Sequence, residues 1–475
     1  MIDLVGMIDG WAERAPDRVA HVWRDQQLTF GELRAHSDAL ACYLRTRVTR
    51  GVPVVVHGHK EPGMLVGFLA CIKAGNPYVP IDKGLPTARI EKIVRHSRAA
   101  LVLTPGAKLD AAIARHHGLR PDPRTRLAPK DNVYIMYTSG STGEPKGVQI
   151  TLANLAGFVA WARDVHPVGG ARRFLNQAPF SFDLSVMDLY LSLTGGGTLH
   201  SVDRRMIENP LELRAALADA NVEVWVSTPS FAEMCLADRT FDATHLPGLA
   251  CFLFCGETLP PSCVRRLHAR FPRARVYNLY GPTEATVAVT SVLVDEALLS
   301  AFPALPLGTP RPDTWLRVID GEIVIEGPCV SPGYLHEPEL TARAFDGARY
   351  RTGDAGHYQD GALMFGGRLD FQVKLFGHRI ELEDVARNLE GLPAVEKAIV
   401  IPIEHAGRCE ALAAFVVMRA GMEVTPQALR AELGLRVPSY MVPRDIHCRP
   451  DLPMTVNGKI DRGRLAAELH RSDPP

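Results

Sequence analysis

The chain has 475 residues, 46% of them hydrophobic and 22% charged, and its 53 basic residues are matched by 53 acidic ones. That length exceeds what one hydrophobic core supports, so two or three domains are expected, and the balanced charge gives no overall electrostatic footprint for nucleic acid or an anionic membrane. Nine cysteines, an odd number with no C-x-x-C pair, suit a reducing compartment rather than a disulfide scaffold. The opening stretch MIDLVGMIDGWAERAPD puts acids where a secretory leader needs a positive end. No apolar run approaches the ~18 residues of a membrane span, so a cytoplasmic protein without a membrane segment is expected.

In chain order, the first informative segment begins with Val133 to Tyr137, an apolar run that reads as a buried strand. It is followed by Thr138-Ser-Gly-Ser-Thr-Gly-Glu-Pro-Lys146-Gly147. Glycines let a backbone approach a ligand, hydroxyls and free N–H groups donate to oxyanions, and Lys146 adds a point charge, so a polyphosphate is the natural ligand. Leu152 to Val165 then has helical spacing, giving the strand, loop, helix order of phosphate sites. The spacing is not that of a Walker loop, because Lys146 follows a proline and precedes Gly147. An ordinary flexible loop is the plainer alternative.

Further on, Phe182-Asp183-Leu184-Ser185 sets a carboxylate in an apolar stretch, where it is either functional or a helix N-cap. Strand-like runs now alternate with helical ones: Val222 to Val226 and a helix from Phe231, Leu249 to Phe254 and Pro261 to Arg270, then Arg275 to Leu279. This alternation argues for α/β layers with parallel sheets. Cys251 and Cys255 read as core rather than metal ligands. Asn278 to Glu284 ends a strand in a turn with an aromatic, a hydroxyl and an acid, where open α/β sheets bind ligands. Trp315 to Ile325 passes almost directly between two strands, and Tyr350 to Asp354 puts an acid on a tight turn. Beyond about residue 370 the pattern becomes a small α+β module: helix Leu382 to Leu389, strands Lys397 to Ile403 and Ala411 to Met418, helix Pro426 to Leu433. The expected fold is therefore α/β, with a large N-terminal domain of layered α/β subdomains over 1–369 and a small mobile α+β domain over 370–475.

In this order, and with Leu28-Thr-Phe-Gly-Glu-Leu33, Lys73-Ala-Gly-Asn-Pro-Tyr-Val-Pro-Ile-Asp82, Val437-Pro-Ser-Tyr-Met-Val-Pro443 and Asn457-Gly-Lys459, the chain resembles the adenylate-forming superfamily nearly end to end. Phe180 to Asp188, Ser227 to Cys235, Phe252 to Glu257 and Gly281 to Val289 are most similar to the D-alanine–D-alanyl carrier protein ligases and stand-alone adenylation enzymes of the nonribosomal-peptide type.

That resemblance implies an enzyme using ATP and Mg²⁺ to activate a carboxylate as its adenylate and then pass it to a thiol. Thr138, Ser139, Gly140, Thr142 and Lys146 would cradle the phosphates. Glu284, beside Thr283, would bind the magnesium. Tyr280 and Asn278 would meet adenine, Asp354 and Arg368 the ribose, with Gly256 and Gly281 also at the ATP site. Lys459 would bridge substrate carboxylate and α-phosphate, and Asp370 would be the hinge. Asp183 implies an amino acid, since it would pair with the α-ammonium. Leu184, Met187, Val226, Leu253, Cys255, Leu279, Val287 and Ala288 would complete a small apolar pocket for alanine, with Cys255 favouring the D enantiomer. The sixteen residues after Lys459 hold no carrier attachment motif, so the phosphopantetheine arm is expected on a separate carrier protein. L-alanine or another small amino acid in natural-product assembly, an acyl- or aryl-CoA ligase, and a catalytically silent nucleotide-binding protein are the alternatives.

Overall fold

The computed structural model describes residues 1–140, 144–405, 408–454 and 460–472. They fall into two compact units: Met1–Lys83, His96–Tyr137 and Gly147–Gly367 form the first, and Gly84–Arg95, Thr138–Lys146 and Arg368–Pro475 the second. The α/β class expected from the sequence is what the chain adopts.

The first unit is organised around a nine-stranded sheet. At its centre Val224–Ser227, Cys251–Phe254 and Arg275–Tyr280 run parallel, with Val226 beside Leu253 and Leu253 beside Tyr277. Every residue of the first two strands is buried. Parallel strands covered on both faces need apolar side chains at every position, which is why they read as continuous apolar runs. Their two faces feed different cores. Val226, Leu253 and Leu279 join one with Leu184 and Met187, whereas Trp225, Phe252 and Phe254 join another with Val264 and Leu267. Helix Leu184–Gly195 is buried along its whole length and therefore shows little amphipathic contrast.

Two readings of local structure need correction. Lys146–Thr151 is a strand, so the glycine-rich loop joins two strands, Asn132–Thr138 and Lys146–Thr151, and helix Leu152–Val165 starts only afterwards, from a capping box of Thr151 and Asn154. The cause is the alternation of Val148 and Ile150, both fully buried, with Gly147 and Gln149. Likewise Asp354 lies within strand Arg349–Gln359 rather than on a turn. The near-direct connection after Trp315 is real: strands Trp315–Ile319 and Glu322–Glu326 pair as a tight hairpin.

In the second unit, strands Val395–His405, Arg408–Met418 and Asp445–Arg449 form a three-stranded sheet. Helices Leu382–Glu390 and Pro426–Gly434 pack Val385, Leu389, Leu429 and Leu433 against Val400, Leu412 and Ala414 of that sheet. A short ribbon, Gln372–Leu375 with His378–Glu381, precedes them. The earlier segments are tied in by charge: the Arg89 guanidinium reaches Asp384, fully buried, at 3.1 Å.

Candidate active site

In the first unit the candidate residues gather where the central strands end, the end at which open parallel sheets bind ligands. All eight apolar positions carried to the pocket, Leu184, Met187, Val226, Leu253, Cys255, Leu279, Val287 and Ala288, lie in one hydrophobic cluster. The Cys255 thiol donates to the Val287 carbonyl at 3.7 Å, which fixes the side on which the sulfur sits. Gly256 follows at φ +94°, a conformation that side chains rarely adopt.

Asp183 occupies the N-cap position of helix Leu184–Gly195 but makes no side-chain capping hydrogen bond. The plain reading of this acid as a helix cap is therefore not what the structure shows. Nearby, the hydroxyl of Tyr134 is fully buried and has no hydrogen-bond partner among the described residues. Burial first, and the Asp183 charge second, push that phenol well above its ordinary range.

Strand Arg275–Tyr280 delivers the next group. Asn278 is spent on the fold in part, its amide donating to the Pro306 carbonyl at 3.0 Å. Tyr280 donates its hydroxyl to Asp354 at 2.6 Å, bringing together two candidates 74 residues apart. Gly281 passes so near the next turn that a Cβ there would stand 2.6 Å from Ala288 Cα. Thr283 and Glu284 sit in the single turn Thr283–Ala285, and Glu284 is fully buried.

The Glu284 turn is held by features with no local signature in the sequence. Thr286 and Val287 both take positive φ, 63° and 69°, a strained state for β-branched residues that persists only where surroundings over-determine it. Those surroundings are visible: Thr286 donates to the Cys329 carbonyl at 2.8 Å, and Ser331 N–H to the Glu284 carbonyl at 2.8 Å. Tyr334 then donates to the Glu284 carboxylate at 2.8 Å. Among the described residues no cluster of three or more His, Cys, Asp or Glu side chains could hold a metal ion. One buried carboxylate suits instead an ion whose other ligands are phosphate oxygens and water, which is the habit of Mg²⁺.

The remaining candidates belong to the second unit. The Thr138 hydroxyl is buried with no partner among the described residues. Ser139 donates to the Arg379 carbonyl at 2.8 Å and accepts from Glu381 N–H at 3.2 Å. Gly140 is buried beside it. Lys146, 8% exposed, has its ammonium 3.8 Å from Glu381. Burial raises the Glu381 carboxyl above its ordinary range, while Lys146 and Arg379 oppose that rise. Arg368 donates to Asp370 at 2.9 Å and to Gln372 at 2.7 Å, so the candidate ribose ligand and the candidate hinge pair with each other. Thr142 and Lys459 lie outside the described residues.

A family profile described as AMP-binding enzyme matches residues 8–335, and one described as AMP-binding enzyme C-terminal domain matches residues 384–459. The D-alanine–D-alanyl carrier protein ligase of Bacillus thuringiensis (strain Al Hakam) is 43% identical over 501 residues, covering 98% of this chain and 99% of the relative. Vibrio cholerae adenylation domain AlmE, solved with glycyl-adenosine-5′-phosphate, superposes with a TM-score of 0.83 over 99% of both chains at 22% identity, a likeness of fold. PA1221, an NRPS protein containing adenylation and PCP domains, superposes with a TM-score of 0.81 at 26% identity, covering 99% of this chain and 84% of the other. No helix among the described residues is long and apolar enough to cross a membrane. By the family match and the full-length identity, the chain belongs to the AMP-binding enzymes, a family of ligases.

Proposed function

We propose that this protein activates D-alanine with ATP and transfers it to the phosphopantetheine thiol of a separate carrier protein. In the first step an oxygen of the alanine carboxylate bonds to the α-phosphorus and the bond to pyrophosphate breaks. In the second the carrier thiol bonds to the carbonyl carbon, and AMP leaves with the electron pair of the mixed anhydride. A carboxylate attacking a polyanion needs charge neutralisation more than proton transfer. Thr138, Ser139, Gly140, Thr142 and Lys146 serve that need on the phosphates. Glu284, beside Thr283, would hold Mg²⁺, which supplies further neutralisation when bound. Tyr280, Asn278, Gly256 and Gly281 frame adenine, Asp354 and Arg368 take the ribose, and Lys459 bridges carboxylate and α-phosphate in the first step. Asp370 is the pivot on which residues 370–475 turn between steps.

The observation that carries the reading is Asp183: a carboxylate at the head of a buried helix that makes no side-chain capping hydrogen bond, leading directly into Leu184 and Met187 of the eight clustered apolar positions. It suits the ammonium of a small amino acid. The name of the 43% identical relative supports alanine in the D form, as does the Cys255 sulfur, which would crowd the side an L methyl needs. Nine free cysteines suit a cytoplasmic setting.

ATP–pyrophosphate exchange across the amino acids and simple organic acids tests this. Mg²⁺-dependent exchange is expected with D-alanine first, and with glycine and serine weaker by a graded margin, since apolar pockets separate one methylene by ~1–3 kcal/mol. Cys255→Gly should relax the choice of enantiomer. Exchange with acetate or benzoate and with no amino acid would transfer the protein to the acyl- or aryl-CoA ligases.

A further inference from the structure

Lys60 lies between strand Val54–Gly58 and helix Pro62–Ala74 and is fully buried. Its ammonium donates to Asn176 Oδ1 and to the Ala178 carbonyl, and stands 4.7 Å from the centroid of the Phe180 ring. Asn176, the last residue of strand Arg173–Asn176, acts as a relay. Its Oδ1 also accepts from Ser201 Oγ at 2.8 Å, and its Nδ2 donates to Ala178 O at 3.2 Å and to the two Asp188 oxygens at 3.1 and 3.2 Å. Asp188, fully buried, stands in the second turn of helix Leu184–Gly195. A lysine and an aspartate thus share one interior network with an amide between them.

Burying two charges is expensive, and a well-packed apolar set would avoid the cost. Burial lowers the Lys60 ammonium to about 8 and lifts the Asp188 carboxyl well above its usual range. What lies between the anchors accounts for the arrangement. Asn176 precedes the segment, Ala178 and Phe180 are in it, and Asp188 follows; enclosed are Asp183, Leu184 and Met187, the residues this segment gives to the pocket. The ammonium therefore holds the leading end of the segment that carries Asp183 directly and, through Asn176, the helix turn at Asp188 that follows it.

We propose that Lys60 is a positioning residue: through Asn176, Ala178, Phe180 and Asp188 it fixes where helix Leu184–Gly195 begins, and so sets Asp183 at the depth the substrate ammonium requires. This rests on the reading of Asp183 given above. A purely structural lysine would affect folding alone, whereas a positioning lysine affects one substrate more than the other.

The test compares wild type, Lys60→Met and the charge-neutral pair Lys60→Met/Asp188→Asn, which keeps an acceptor for Asn176. Pyrophosphate exchange would give KM for alanine and for ATP, with thermal midpoints and amide hydrogen exchange alongside. Expected for Lys60→Met is a KM for alanine raised tenfold or more, a KM for ATP within twofold of wild type, and faster amide exchange concentrated in residues 177–187. The double variant should regain thermal stability yet keep the raised alanine KM; should the single variant not fold, the double decides alone. An alanine KM that returns to the wild-type value in the double variant, or KM values for both substrates that rise together, would overturn the proposal. Wild type that exchanges with no amino acid would instead reject the reading of Asp183 itself.

Discussion

The two units hold their share of the candidate site by different means. In the first, the groups are fixed by burial and by hydrogen bonds to fixed partners: Tyr280 to Asp354, Tyr334 to Glu284, Cys255 to Val287. In the second they are held by charge: Lys146 against Glu381, Arg368 against Asp370, Arg89 against Asp384. The difference teaches which half is set before substrate arrives. Buried hydrogen bonds between groups locked in the fold keep their geometry whatever binds, whereas an ion pair exchanges partners when a stronger anion such as a triphosphate appears.

Acid should break the comparison first and most. His21 and His166, both in the first unit and both buried, have their imidazoles lowered to about 3 and about 4, chiefly by burial. Between those values and 6.5 the unfolded chain binds protons that the folded chain does not, so stability rises with pH across that window and is lost as pH falls through it. At pH 5 the loss from the two amounts to ~4 kcal/mol, each pH unit per group being worth ~1.4 kcal/mol. Unfolding followed from pH 7.5 to 5 should show signals from first-unit residues moving before those from 368–475; simultaneous loss would erase the distinction.

Next in size is Asp183→Ala. Removing the carboxylate proposed to pair with a substrate ammonium in a buried site should cost ~3–4 kcal/mol in kcat/KM for alanine, several hundredfold, with KM for ATP little changed. A fall shared equally by both substrates would mean that Asp183 supports the fold instead.

Tyr280→Phe probes the pre-set hydrogen bonds. It leaves Asp354, 3% exposed, short of its donor, at ~1–3 kcal/mol. A lower thermal midpoint and a KM for ATP raised about tenfold are expected on that scale, and an unchanged KM would remove Asp354 from the nucleotide site.

The smallest effect belongs to the second unit. Glu381→Gln removes the buried anion facing Lys146 while keeping its size, so KM for ATP should fall by a small factor, about twofold, as the buried ammonium turns to the phosphates. Added salt should leave the gap between variant and wild type nearly unchanged, since a buried pair is little screened. A KM that rises would show Glu381 supporting the phosphate loop, not competing for it.

Much of the fold is legible in the amino-acid sequence alone, and so are the residues that make up the candidate site. Helix Pro261–Arg270 is bounded to the residue because proline opens it and Cys263, Val264 and Leu267 repeat at helical spacing. The central strands read clearly because burial on both faces leaves no polar position. Strand Lys146–Thr151 is harder to see because its glycine and lysine join it by composition to the loop in front of it, although Val148 and Ile150 alternate with polar or small neighbours. Tyr334 is beyond reach for another reason: it meets Glu284 across 50 residues, and Lys60 meets Asn176 across 116, so no window of sequence contains both partners. Composition names the groups of the site, but only the fold says which of them hold one another.

The second unit is assembled from three separate stretches of chain, 84–95, 138–146 and 368–475. During synthesis the first two leave the ribosome long before the third exists, so this unit cannot close until the last stretch emerges, whereas most of the first unit can fold ahead of it. The same stitching bears on protein engineering. A recombination made at residue 368 would hand the new chain Glu381 and the buried Asp384 while leaving Lys146 and Arg89 behind. Such chimaeras should express poorly unless the two short stretches travel with the C-terminal piece, and a graft that moves all three together is the one expected to keep its carboxylates partnered.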